Sequence, residues 1–237
     1  MPSDRPHVAS VLVDFDGTAC LHDVAEHLLM AFGGPSWSDL DDAVERGEIG
    51  LREAITGQVG MVDADDRTLL THALEHCPMD PSFGRFVEWC ASHGVPVTLV
   101  SDGFGFYIGP LLRAHGITGV DVITNTWGRD AQGRPGLTFA SAHPVCVGCG
   151  TCKLQAVVTA REALGPVAFI GDGQTDRYGA LYADIVFAKD QLSETCARDG
   201  VPFEPWTDFD DVRRRLGSGV ALPGPVSPIS CPGWTTT

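Results

Sequence analysis

Apolar residues along this chain fall into two rhythms. Compact runs at 8–13, 95–100, 120–124, 167–170 and 185–187 are dense in Val, Ile and Leu. Runs of that length and composition, bounded by turn residues, predict strands buried on both faces. Elsewhere the apolar spacing lengthens to three and four, as in Val24, Leu28, Leu29 and Phe32. That period predicts helices over 24–32, 37–46, 51–59, 65–76, 81–93, 106–115, 151–163, 174–182, 191–198 and 209–216. Gly33-Gly34-Pro35 stops the first of these, and Gly109-Pro110 is a candidate break in the sixth. A polar turn at 128–136 separates two short β-like runs and predicts a small hairpin. No strand pattern occurs between 20 and 77.

Strands alternating with helices predict an α/β fold with a doubly wound parallel sheet. The helical stretch departs from the end of the first strand, so it is expected to form a cap over that edge. The expected division is a core of 1–19 and 78–216, a cap of 20–77, and a Pro/Gly-rich tail of 217–237.

Two of the apolar runs end in acidic, Gly-bearing turns. Asp14-Phe15-Asp16-Gly17-Thr18 follows the first strand, and Gly171-Asp172-Gly173-Gln174-Thr175-Asp176 follows the fourth. Ligands of open α/β sheets bind at the carboxyl ends of the strands. Carboxylates gathered there repel unless positive charge sits among them, and a hard cation such as Mg²⁺ accepts oxygen ligands of this kind.

The 237 residues carry a net charge of −15. Such a chain lacks the basic surface that nucleic-acid binding draws on. No apolar stretch approaches the ~20 residues of a membrane span, and residues 1–10 show no secretory signal. A cytoplasmic location is expected, and the sequence sets no oligomeric state. Of eight cysteines, Cys146, Cys149 and Cys152 crowd together, with His143 three residues earlier. In a reducing compartment such a cluster reads as free thiols or as a structural zinc site.

Taken in order, the first Asp pair, Ser101-Asp102-Gly103, Lys153 and the second Asp cluster resemble the four motifs of the haloacid dehalogenase-type phosphatase superfamily. The resemblance implies a HAD-like Rossmannoid core and a Mg²⁺-dependent phosphomonoester hydrolase working through an aspartyl-phosphate. Asp14 would be the nucleophile, Asp16 the general acid and base, and Lys153 the neutraliser of phosphoryl charge. Asp172 would bind Mg²⁺ with Asp14 and the backbone carbonyl of Asp16, while Asp176 would hold a metal-bound water or orient Lys153. Ser101, Asp102 and Gly103 would bind the phosphoryl group, with Ser101 and the Gly103 amide as donors. An Asp at position 16 points to hydrolysis, where the pumping ATPases of the superfamily have Thr. A phosphomutase or phosphotransferase of the same superfamily and a non-catalytic phospho-ligand or metal-binding protein are the alternatives.

The cysteines ahead of Lys153, the run Phe187-Ala188-Lys189-Asp190-Gln191-Leu192 and the segment Phe209-Asp210-Asp211-Val212-Arg213 narrow the resemblance. They are similar to the phosphoserine phosphatase-like branch, and within it to phosphatases of 2-hydroxy-3-keto-5-methylthiopentenyl-1-phosphate. The implied partner is a small-molecule phosphate ester. In that branch the cap contacts the leaving group, which makes His22, Asp23 and Arg52 candidate specificity residues. Glu26 is a further candidate, and Phe104 and Phe106 are candidates for the pocket wall. His72 and His76 share a helix face, although two histidines alone make a weak case for metal.

Overall fold

The computed structural model describes residues 7–143, 146, 148–219, 223, 224 and 231. Most of the expected tail therefore lies outside the described residues. The first strand, β1 (Ser10–Val13), has all four residues buried. Alternation along it explains why: Val11 and Val13 enter one hydrophobic cluster, while Leu12 enters another. Side chains of a strand alternate between faces, so a run buried at every position must be covered on both.

Four helices follow between β1 and the next core helix: α1 (Val24–Phe32), α2 (Trp37–Glu45), α3 (Leu51–Gly60) and α4 (Asp66–His76). Asp23 and Asp65 cap α1 and α4 through their carboxylates, accepting from the amides of Glu26 and Thr68. Cys20 and Met79 pair as an antiparallel bridge. The insert thus leaves the core and returns to it at adjoining points.

The alternation resumes with α5 (Phe83–Ser92), β2 (Val97–Phe104), α6 (Gly105–Ala114), β3 (Val120–Arg129) and β4 (Pro135–Thr138). It continues through α7 (Lys153–Leu164), β5 (Val167–Gly171), α8 (Arg177–Tyr182), β6 (Ile185–Ala188), α9 (Asp190–Asp199), β7 (Glu204–Pro205) and α10 (Phe209–Gly217). The sheet order is β4-β3-β2-β1-β5-β6-β7. Every pairing is parallel except that of β3 with β4, which is the expected hairpin. Helices α5, α6 and α10 pack with Val11 and Val13, and α7, α8 and α9 with Leu12.

Several elements differ from the sequence reading for identifiable reasons. β2 runs on through Ser101-Asp102-Gly103 with a register shift between Val100 and Phe104. Two side chains of β3 hold that extension, Thr124 donating to the Gly103 carbonyl and Asn125 to that of Asp102. Pro110 does not break α6; Tyr107, Ile108 and Leu111 are wholly buried, and that packing outweighs one missing backbone bond. The helix expected over 174–182 is split into a tight turn, Gln174–Asp176, and α8.

Candidate active site

The chain order places β1 at the centre, with β2 on one side and β5 on the other. The crevice outside such a reversal point is where open α/β sheets bind ligands. Asp14 leaves β1 there, and Asp172 leaves the adjacent β5. A wide turn over Phe15–Ala19 carries Asp16 and then Gly17, whose φ is +75°. That conformation suits glycine, and a Cβ at this position would collide with the Asp172 carboxylate. The glycine is thus what lets the two acidic turns approach each other.

Lys153 opens α7 and reaches down between them. Its Nζ donates to Asp14 Oδ1 and Asp176 Oδ1, both at 2.6 Å, and to Thr175 Oγ1 at 3.0 Å. Lys153, Asp14 and Asp176 are buried, at 3, 6 and 0 % exposure. Burial works against the ammonium, but Asp14, Asp176 and Asp102 outweigh it and hold its pKa well above the ordinary value. The second carboxylate oxygen of Asp176 accepts from the amides of Asp172 and Gly173, each at 3.0 Å. These bonds tighten the turn and explain why the predicted helix breaks there.

Asp14, Asp172 and Asp176 offer oxygens within 4.8 Å of one another, the only such trio of candidate ligands among the described residues. Burial raises the pKa of Asp14 well above the carboxylate range, and Asp176 and Asp172 add to the rise against the pull of Lys153. Asp172 is raised too, by burial first, while the Thr18 hydroxyl donating to its Oδ1 at 2.6 Å works the other way. Three carboxylates facing one ammonium call for further positive charge, and an all-oxygen donor set fits a hard divalent cation.

Asp16 faces away from this trio. Its Oδ1 accepts from the Val24 amide at 2.9 Å, and its Oδ2 accepts from Ser101 Oγ at 3.1 Å and Tyr107 OH at 3.5 Å. Burial pushes its pKa up to about 8, with Asp23 adding and the Val24 amide opposing. The side chain expected as general acid and base is therefore held by the cap and by β2, apart from the carboxylate trio. The Gly103 amide, expected to face a phosphoryl group, donates to Ser101 Oγ at 2.8 Å. A serine two residues before an amide makes this local turn readily.

A cavity of about 600 Å³ extends from these residues into the cap. Asp14, Asp16, Gly17, Asp102, Gly103, Lys153 and Asp172 form its floor; Leu28, Leu29, Ile55, Val59, Phe104 and Trp127 supply apolar wall. Asp23 and Glu26 line it, whereas His22, Arg52 and Phe106 do not.

Arg52 has a different place. Its guanidinium donates to the carbonyls of His143 and Cys149 at 2.7 Å, and to that of Cys146. It ties α3 to the loop that delivers Lys153. On the core side, the Thr151 amide donates to Asp102 Oδ1 at 2.6 Å, and Asn125 holds both Thr151 and the Asp102 carbonyl. The cysteines on this loop form no metal cluster among the described residues: the His143 ring accepts from the Cys146 amide, and Cys152 packs with Leu154 and Cys231. The zinc reading is therefore unsupported, because backbone contacts and packing employ the expected ligands. Arg52→Ala is expected to cost about 2 kcal/mol, seen as a fall of roughly 4–8 °C in the thermal midpoint. An unchanged midpoint would mean that the three carbonyls find equal partners without it.

Asn125, Thr18, Tyr107 and Thr175 were not among the expected functional residues. Thr18 and Thr175 sit inside the two acidic motifs, which was their signal. Asn125 had none beyond its place at a strand end.

These features define a class. Residues 11–180 match the model of the haloacid dehalogenase-like hydrolases, and the chain belongs to that family. A 2-hydroxy-3-keto-5-methylthiopentenyl-1-phosphate phosphatase of Exiguobacterium sp. strain AT1b is 29 % identical over 209 residues, covering 85 % of this chain and 94 % of that protein. The bifunctional enzyme MtnB/MtnX of Bacillus licheniformis is 29 % identical over 211 residues, 87 % of this chain, which spans about half (48 %) of that longer protein. Among solved structures, phosphoserine phosphatase from T. onnurineus superposes with a TM-score of 0.66 at 17 % identity, covering 92 % of this chain and 98 % of that one. The chain is thus a phosphatase with an α/β Rossmannoid fold. No helix among the described residues is long and apolar enough to cross a membrane.

Proposed function

We propose that this protein is a Mg²⁺-dependent phosphomonoesterase that transfers the phosphoryl group of a small ester to Asp14 and then to water. The observation that carries the reading is the buried contact of Asp14 with Lys153 on the floor of the cavity. The carboxylate is charge-balanced by Lys153 where both line a cavity large enough for a small ester.

In the first step an Asp14 oxygen bonds to phosphorus as the phosphorus–oxygen bond to the leaving alcohol breaks. Asp16 gives its proton to that departing oxygen. A carboxyl with a pKa of about 8 keeps its proton at neutral pH, the state a general acid requires. In the second step Asp16, now ionised, takes a proton from water as the water oxygen attacks phosphorus, and the bond to Asp14 breaks. Lys153 offsets the charge on the phosphoryl oxygens, and the Ser101 hydroxyl, expected to do so too, instead donates to Asp16 and steadies the acid. Asp14, Asp172 and Asp176, with the Asp16 carbonyl, would hold Mg²⁺, which supplies positive charge that lets a carboxylate approach a phosphate.

The leaving group is expected in the cap cavity, where apolar wall favours an uncharged, partly apolar alcohol. The relatives' substrate, 2-hydroxy-3-keto-5-methylthiopentenyl-1-phosphate, is of that kind, and we take it as the first compound to assay. Asp23, on the cavity wall, is the cap residue of the expected set best placed to meet it, whereas His22 and Arg52 lie off the lining. Phosphate release across a panel of esters should depend on added Mg²⁺ and fall to background with EDTA. Equal release under both conditions would refute the metal requirement, and no release from any ester would refute hydrolysis.

A further inference from the structure

Four of the eight histidines of the chain meet on the outer surface of the cap. His72 and His76 lie one turn apart on α4, with ring centres 4.4 Å from each other. His27, on the adjoining α1, has its ring 6.5 Å from that of His72 and 5.0 Å from that of His22, which precedes the cap residue of α1. Neither His72 nor His76 lines the catalytic cavity, and none of the four has a part in the phosphatase mechanism.

Burial, followed by His76 and His27, holds the pKa of His72 below its ordinary value. A neutral imidazole is the form that binds a metal. The sequence His72-Ala73-Leu74-Glu75-His76 has the helical His-x-x-Glu-His spacing by which some metalloenzymes hold zinc with two rings of one face. Zinc lies about 2.0–2.1 Å from an imidazole nitrogen, so rings sharing a tetrahedral ion have centres on the order of 5 Å apart. The His72–His76 and His22–His27 separations are near that value, whereas His27 lies 6.5 Å from His72 and no three of these side chains bring their nitrogens within 4.8 Å of one another, so the rings must turn to share an ion. His22 and His76 are exposed, and His27 and His72 are half-buried. Rotation of exposed side chains takes picoseconds to nanoseconds.

We propose that His72, His76 and His27 form a surface site for a borderline transition-metal ion of the zinc class, bridging α1 and α4, with His22 available as a fourth ligand. It is separate from the oxygen-lined trio on the cavity floor, whose hard donors suit magnesium. It also does not rest on the phosphatase reading. The bridge would join two helices that form the cavity wall, through Leu28 and Leu29 on α1 and Leu69 on α4.

Calorimetric titration with Zn²⁺ in millimolar Mg²⁺ tests the site, with Co²⁺ absorption reporting ligand type. One equivalent should bind with a dissociation constant in the micromolar range or tighter. His72→Gln or His76→Gln should weaken it at least tenfold, and the double variant should abolish it. Cys146→Ser/Cys149→Ser and Asp172→Asn should leave it unchanged, and Co²⁺ should show no intense thiolate charge-transfer band. Binding lost in the cysteine or Asp172 variant instead, binding indifferent to both histidines, or no binding below millimolar Zn²⁺ would each overturn the proposal. Both histidine positions are on a solvent-facing helix surface, and a thermal melt of each variant checks that it is folded. Should the double variant fail to fold, the two single variants decide.

Discussion

Asp14→Asn is expected to lower phosphate release by on the order of 10⁴-fold or more, the scale on which removal of an enzymic nucleophile is felt. The substitution keeps shape and retains an oxygen that can accept from Lys153, so the loss would be chemical. The same change should leave the thermal midpoint equal or raise it. Asp14 is a buried carboxylate pushed well above its ordinary pKa by desolvation and two acidic neighbours, and a neutral amide relieves that. Active sites hold strain of this kind at the expense of stability. Release kinetics and a melting curve on one preparation test both halves. Undiminished release would put the nucleophile elsewhere.

Lys153→Met is the second substitution with a large expected effect, and here stability and activity should fall together. The methionine fills much of the same volume but leaves Asp14 and Asp176 facing each other in a buried space without their shared ammonium. Removing one member of a buried ion pair costs about 3–5 kcal/mol. For a chain of this size the midpoint should fall by roughly 6–20 °C. Millimolar Mg²⁺ should restore part of that loss, because a second cation answers the same repulsion. A midpoint unchanged in both conditions would show that Asp14 and Asp176 are not ionised together.

The parts of this site that the sequence announced are those set by local pattern. An apolar run ending in Asp-x-Asp-Gly-Thr states both a buried strand and what it delivers, so Asp14, Asp16 and Asp172 could be placed on one sheet edge before any coordinates. Their family order supplied Ser101 and Lys153. The roles that escaped the sequence depend on partners distant in the chain. Arg52 reads as one more cap residue until His143, Cys146 and Cys149, more than ninety positions away, present their carbonyls to it. Asp16 is expected as the general acid from its motif, but the Val24 amide and Ser101 hydroxyl that hold its side chain lie 8 and 85 positions away. Strand β2 outran its apolar run because Thr124 and Asn125 on the neighbouring strand supply partners for its carbonyls. β7, two residues long beside β6, has too little pattern to register at all.

The bridge between Cys20 and Met79 bears on how such a protein can change over generations. A stretch of chain whose ends lie side by side can be lengthened, shortened or replaced without pulling on the strands beneath it. The chemistry proposed for Asp14 and Lys153 would then stay constant while the chamber above is rebuilt for another alcohol. Under the proposed function, ancestry and substrate would thereby be uncoupled, with the inheritance of the reaction written in the sheet and the choice of molecule left to the insert.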